Sequence, residues 1–127
     1  MIPPVEDEFG HGGCVLVVED ELFIALEVKT VLTEAGFRVL GPASSVDHAL
    51  DLINEERPNS AVLDFNLGRE KVTPIALHLR TLGVPFVLTS ATSADELSRH
   101  RSLDGINNLG KPTDPIRLVD TVRAMHA

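Results

Sequence analysis

The sequence predicts an α/β protein built on a doubly wound parallel sheet, and three observations predict it. Short β-branched runs, of the kind expected for strands buried on both faces, alternate with stretches whose apolar residues recur at helical spacing. Each intervening stretch leaves room for the helical crossover that parallel neighbours require. Glycine and proline punctuate the alternation where helices and strands should stop.

Residues 1–13 hold two prolines, three glycines and three acids without a periodic apolar pattern. They are expected to form a flexible N-terminal arm ahead of one domain over 14–127, with His11 carrying no metal. Cys14-Val15-Leu16-Val17-Val18 is the first strand. Glu21 to Ala35 places Leu22, Phe23, Leu26, Val31 and Leu32 near helical spacing, and Gly36 follows as a left-handed cap. Phe37 to Leu40 reads as a second, shorter strand ended by Gly41-Pro42. Ser45 suits the N-cap of a helix over 46–56, which Pro58 prevents from continuing. Ser60 to Phe65 is a third strand. A third helix runs from Ile75 to Leu82, with Pro74 in its first turn and Gly83 at its end. Pro85 to Thr89 is a fourth strand, Ala94 to Leu103 a short polar helix, Gly105 to Leu109 a weak fifth strand, and Ile116 to Met125 a closing helix. Five strands and five helices with right-handed crossovers on both faces favour the flavodoxin-like strand order 2-1-3-4-5.

Composition narrows the function. A chain of 127 residues accommodates one core, so any output module is expected on another molecule. Eleven Lys and Arg against 19 Asp and Glu give a net charge of −8, the wrong sign for nucleic-acid binding. Five Phe with no Trp or Tyr offer few stacking platforms for single strands. Cys14, alone, cannot form an internal disulfide and is expected to be a buried thiol. No run approaches the roughly 20 apolar residues of a membrane span, and Met1 to Asp7 lacks the form of a signal peptide. The expectation is a cytoplasmic domain without nucleic-acid or membrane partners.

The chemistry sits at the strand ends. Glu19 and Asp20 follow the first strand, Asp64 ends the third, Thr89 and Ser90 follow the fourth, and Lys111-Pro112 follows the fifth. In the predicted order these side chains converge on the carboxyl edge, near the topological switch point where such sheets bind ligands. Clustered carboxylates repel unless a cation joins them, and a hard ion such as Mg²⁺ takes carboxylate oxygens while leaving a position for a phosphoryl oxygen. A carboxylate is also a nucleophile toward phosphorus, and phosphoryl transfer needs mainly alignment and charge neutralisation. Asp64, on the central strand, is best placed as nucleophile, with Lys111 and Ser90 facing the phosphoryl oxygens. Taken singly, Asp20 would be a helix N-cap, Asp64 or Ser90 a turn residue and Lys111 a solvated charge. Their joint occurrence on one edge favours a site.

With these residues in place, 14–127 resembles a bacterial two-component response-regulator receiver domain. Val15 to Glu21 matches the family's opening strand with its acidic pair, Ala61-Val62-Leu63-Asp64 the strand ending in the acceptor, and Gly110-Lys111-Pro112 the Lys-Pro step. The resemblance implies that Asp64 accepts a phosphoryl group from a sensor histidine kinase or phosphotransfer protein. It also implies Mg²⁺ bound by Asp20 and Asp64, by Glu19 through water, and by the main-chain carbonyl of Asn66. Ser90 rather than Thr89 takes the family's hydroxyl position, since it lies five residues past Pro85 and precedes the small Ala91. Thr89 should then point to the other side of the strand.

Three features depart from the family. Gly68 stands where relatives carry Pro, the 26 residues from Asp64 to Ser90 suggest a trimmed third loop-helix unit, and Asn108 occupies the position of an aromatic that swings on activation. The resemblance implies a signalling module acting through a downstream protein, with self-phosphorylation and autodephosphorylation as its only chemistry. Without that aromatic, the signal should run through the backbone of Ser90 to Ala94. Two other readings are a phosphorylation-independent interaction module and an aspartyl-nucleophile phosphohydrolase. The hydrolase would need a carboxylate at Asn66 and a cap. Homodimer formation through the last helical face is left open. His48, His78, His100 and His126 are read as structural.

Overall fold

The computed structural model describes residues 13–126; the arm expected over 1–13 lies, but for Gly13, outside them. In chain order the elements are β1 (Cys14–Val18), α1 (Leu22–Glu34), β2 (Arg38–Ala43), α2 (Val46–Glu55), β3 (Ser60–Leu63), β4 (Asn66–Leu67), β5 (Glu70–Lys71), α3 (Thr73–Leu82), β6 (Phe86–Leu88), α4 (Ala94–Leu97), a 3₁₀ turn at Arg101–Leu103, and α5 (Pro115–Met125). The main sheet is parallel with order β2-β1-β3-β6. A lone parallel bridge from Leu88 to Asn108 stands where the fifth strand was expected. The flavodoxin-like order therefore holds.

Strand alternation divides the core. Leu16, Val18, Ala61 and Leu63 face one side, where they meet Ala49 and Ile53 of α2 and Ile75 and Leu79 of α3. Val15, Val17 and Val62 face the other, against Val28 and Leu32 of α1 and Leu118 and Val122 of α5. Helices on both faces leave the carboxyl edge as the open side for chemistry. Three predicted starts and stops hold: Ser45 accepts the His48 amide, Pro74 lies in the first turn of α3, and Gly83 takes a left-handed φ of 72°.

Five expectations are corrected. The fifth strand, over 105–109, is reduced to one bridge, because positive-φ Gly105 and Gly110 bracket it and leave little extended chain. The helix expected over 94–103 is one turn plus the 3₁₀ turn; Leu97 and Leu103 are its main apolar anchors, too few to hold a longer helix. An apolar groove of about 470 Å³, lined by Leu88, Leu97, Leu103 and Ile106 among others, opens beside it. The third strand ends at Leu63, since the chain past Asp64 turns into an unforeseen antiparallel hairpin, β4-β5. Its turn begins at Gly68, whose φ of 63° suits the first central position of a tight hairpin. α3 starts at Thr73, two residues earlier than the apolar pattern suggested. β2 runs from Arg38 through Gly41-Pro42 to Ala43 instead of ending at Leu40, because an irregularity in register at Gly41, with a φ of 99°, absorbs the Gly-Pro step and pairing resumes at Val18 and Ala43. His126 caps α5, its ring edge-on to Phe37 and its Nε2 2.6 Å from Ser60 Oγ.

Candidate functional site

Sheet register assembles the site. β1 and β3 pair with Val18 opposite Leu63, so the next residues, Glu19 and Asp64, leave adjacent strands side by side. Glu19 donates its amide to Ala43 O and Asp64 donates its own to Val18 O, both at 2.9 Å, which fixes both backbones. Leu63 opposite Leu88 brings Thr89 and Ser90 alongside. Glu19, Asp64, Thr89 and Ser90 are all buried, and Asp20 is exposed. Ser90, with Asp20, Asp64, Asn66, Gly68, Ala91, Thr92 and Lys111, lines an open crevice of about 450 Å³. Thr89 does not line it, in keeping with its opposite direction along the strand.

Lys111 is the hub of the charges. Its Nζ donates to Asp64 Oδ2 at 2.9 Å and to Glu19 Oε2 at 3.2 Å. Burial works against its ammonium, but the hydrogen bonds to Asp64 and Glu19 outweigh it and hold its pKa above the ordinary value. Burial pushes the Glu19 carboxyl up, in spite of the hydrogen bonds it accepts from Lys111 and from the Glu21 amide. Glu19 Oε1 lies 3.0 Å from Nζ as an ion-pair contact and makes no hydrogen bond. It is a buried anionic oxygen with unused acceptor capacity.

Carboxylate oxygens of Glu19, Asp20 and Asp64 lie within 4.8 Å of one another. All are hard oxygen donors gathered at one point, so the set fits a hard divalent ion. Asp20 is no helix cap. Its Oδ2 accepts the Gly68 amide at 2.7 Å, tying the first loop to the hairpin turn.

The sequence reading missed a chain of polar groups across the mouth of the crevice. Ser90 Oγ donates to Thr92 Oγ1 at 2.9 Å and accepts the Thr92 amide at 3.1 Å. Asn66 Nδ2 donates to Thr92 Oγ1 at 3.1 Å, and Lys71 Nζ donates to Asn66 Oδ1 at 2.5 Å. The Ser-x-Thr spacing was a legible signal for the first link, being that of a hydroxyl turn. The hairpin that delivers Lys71 gave no such signal. Among the histidines, His100 packs its ring 5.0 Å from that of buried Phe65.

A crevice over the carboxyl edge is where doubly wound parallel sheets bind ligands, and solved structures share this fold. The receiver domain of Francisella response regulator 1452 superposes with a TM-score of 0.76 at 25% identity, covering 89% of this chain and 95% of that one. Vibrio cholerae chemotaxis response regulator CheY4 shares the fold with a TM-score of 0.76 at 22% identity, covering 89% of this chain and 98% of that one. The chain belongs to the response regulator receiver family, whose family model, described as the response regulator receiver domain, matches residues 15–123. Bacillus cereus sensory transduction protein LytT is 30% identical over 111 residues, 86% of this chain and 45% of that protein. Pseudomonas aeruginosa transcriptional regulatory protein GltR is 31% identical over 121 residues, 91% of this chain and 49% of that protein. The chain thus spans about half the length of the curated relatives it matches. Receiver domains bind Mg²⁺ in an acidic pocket of this kind and are signalling modules of two-component systems. Among the described residues no helix is long and apolar enough to cross a membrane.

Proposed function

We propose that residues 14–127 form a phosphorelay receiver in which Asp64 accepts a phosphoryl group from a phosphohistidine on a sensor kinase or phosphotransfer protein, in the cytoplasm. The observation that carries this reading is the contact of Lys111 Nζ with Asp64 at 2.9 Å, made where Glu19, Asp20 and Asp64 gather within 4.8 Å. A carboxylate oxygen of Asp64 attacks phosphorus, the P–N bond to the imidazole breaks, and the imidazole leaves with the bonding pair and takes up a proton. Lys111 keeps its ammonium against the new phosphoryl oxygens, and the Ser90 hydroxyl turns from Thr92 to donate to another. Mg²⁺ held by Asp20 and Asp64, by Glu19 through water and by the Asn66 carbonyl would supply the remaining charge neutralisation when bound. Roughly two added negative charges in the crevice then bias the surrounding loops and alter contacts with a downstream protein.

Incubation with acetyl phosphate and Mg²⁺, followed by intact-mass measurement, tests the reading. Wild type should gain one phosphoryl group and Asp64→Asn none. Equal labelling of both, or of neither, would reject Asp64 as acceptor.

A further inference from the structure

The sheet ends in an unusual rung. Leu88 pairs with the neighbouring chain as a parallel strand should, donating its amide to Asn107 O at 2.9 Å and accepting the Leu109 amide at 2.8 Å. A continued ladder would carry the Ser90 amide to the carbonyl of Leu109 and the Ser90 carbonyl to the amide of Lys111. Instead both polar groups of the Ser90 main chain go to one side chain. Ser90 donates its amide to Asn108 Oδ1 at 2.9 Å, and Asn108 Nδ2 donates to Ser90 O at 3.0 Å. The same Oδ1 accepts the Gly110 amide at 3.1 Å. A carboxamide carries the donor and acceptor of a peptide unit, so here it stands in for one.

The substitution has two consequences. Ser90 is 2% exposed, so its main-chain groups need partners, and a half-buried side chain supplies them. The chain after Leu109 is released from the sheet, turns at Gly110 with a φ of 85°, and delivers Lys111 to Asp64. One carboxamide thus joins the backbone that carries the hydroxyl to the backbone that carries the ammonium.

We infer that Asn108 is a positioning residue, whose side-chain amide replaces the last rung of the sheet and holds Ser90 and the Gly110-Lys111 turn in one register for binding a phosphoryl group. The inference rests on the phosphoacceptor reading of the same crevice. With Ser90 tied at both N–H and C=O, its hydroxyl reaches the phosphoryl group by rotation of the side chain, and displacement of the Ser90 backbone is resisted. The signal route expected from the sequence, through that backbone, then begins beyond Ser90 rather than at it.

The test uses the full chain, Mg²⁺ and beryllofluoride as the phosphoryl mimic, with affinity read by NMR titration and amide exchange measured in parallel. In wild type the Ser90 and Gly110 amides should be protected. Asn108→Ala and the near-isosteric Asn108→Leu should both lose protection there and bind beryllofluoride about tenfold more weakly, the scale of one to two lost hydrogen bonds. Unchanged affinity in Asn108→Ala, or affinity restored by Asn108→Leu, would overturn the inference, since filled space would then suffice. Unprotected Ser90 and Gly110 amides in wild type would overturn it without any variant. Failure of wild type to bind beryllofluoride would instead sink the phosphoacceptor reading. Exchange would then decide whether the tie exists: lost protection in the variants upholds it, unchanged protection refutes it.

Discussion

The most telling atom beneath the crevice is Glu19 Oε1, buried and without a hydrogen bond, with Lys111 Nζ 3.0 Å away. The raised pKa of Glu19 means that its protonated form favours folding. That stability is present below the ordinary carboxylate range and is lost as pH rises through the raised value. At neutral pH the ionised group is therefore a net cost in the metal-free protein. Glu19→Gln should raise the calorimetric midpoint in EDTA by the equivalent of about 1 kcal/mol; a lowered midpoint would show that the carboxylate is stabilising as it stands. Cys14 gives the same kind of reading away from the site. Burial pushes its thiol up from the ordinary value, so the neutral form is favoured in the fold and stability declines only as pH rises through the raised value. Alkylation of native Cys14 by iodoacetamide at pH 8 should be no faster than global unfolding; rapid modification would contradict its burial. The sequence pattern made this buried thiol visible, because Cys14 opens an apolar strand. Asn108 was legible only as the absence of an aromatic, since a side chain imitating a peptide unit leaves no periodic trace.

At the scale of elements, some caps and the first strand were read from local rules that the packing does not override. The Ser45 cap, the left-handed Gly83 and the β1 run follow from backbone chemistry at single positions. The hairpin β4-β5 did not announce itself, because strands of two residues carry no alternation to detect. The clue was Gly68 in place of a proline, and its use is now clear: it turns the hairpin and gives its amide to Asp20. A Cβ at Gly68 would meet nothing closer than Asp20 Oδ2 at 3.9 Å, so a substitution there strains the backbone without crowding a neighbour. Gly68→Ala should cost about 1 kcal/mol, read as a lowered denaturant midpoint at unchanged slope; an unchanged midpoint would mean that the turn has relaxed. The fourth helix and fifth strand failed as predictions for separate reasons. Few apolar anchors hold the helix, while positive-φ Gly105 and Gly110 bracket the strand and leave it one bridge.

For the whole molecule, the strand order follows from alternation and crossover length, and the strand order gathers the site. Glu19, Asp20, Asp64, Ser90 and Lys111 could be placed together from the sequence because each stands at the end of an apolar run. Thr92 and Lys71 could not, because hydrogen bonds among side chains depend on loop paths that no run encodes. The central claim concerns what the gathered carboxylates do once phosphorus arrives, and it is tested most directly by locating the bond. After treatment with acetyl phosphate and Mg²⁺, borohydride reduces an acyl phosphate to the alcohol, converting the modified aspartate to homoserine. Peptide mass spectrometry should find homoserine at residue 64 alone, and none when Mg²⁺ is withheld. Homoserine at another carboxylate with none at 64 would contradict the account.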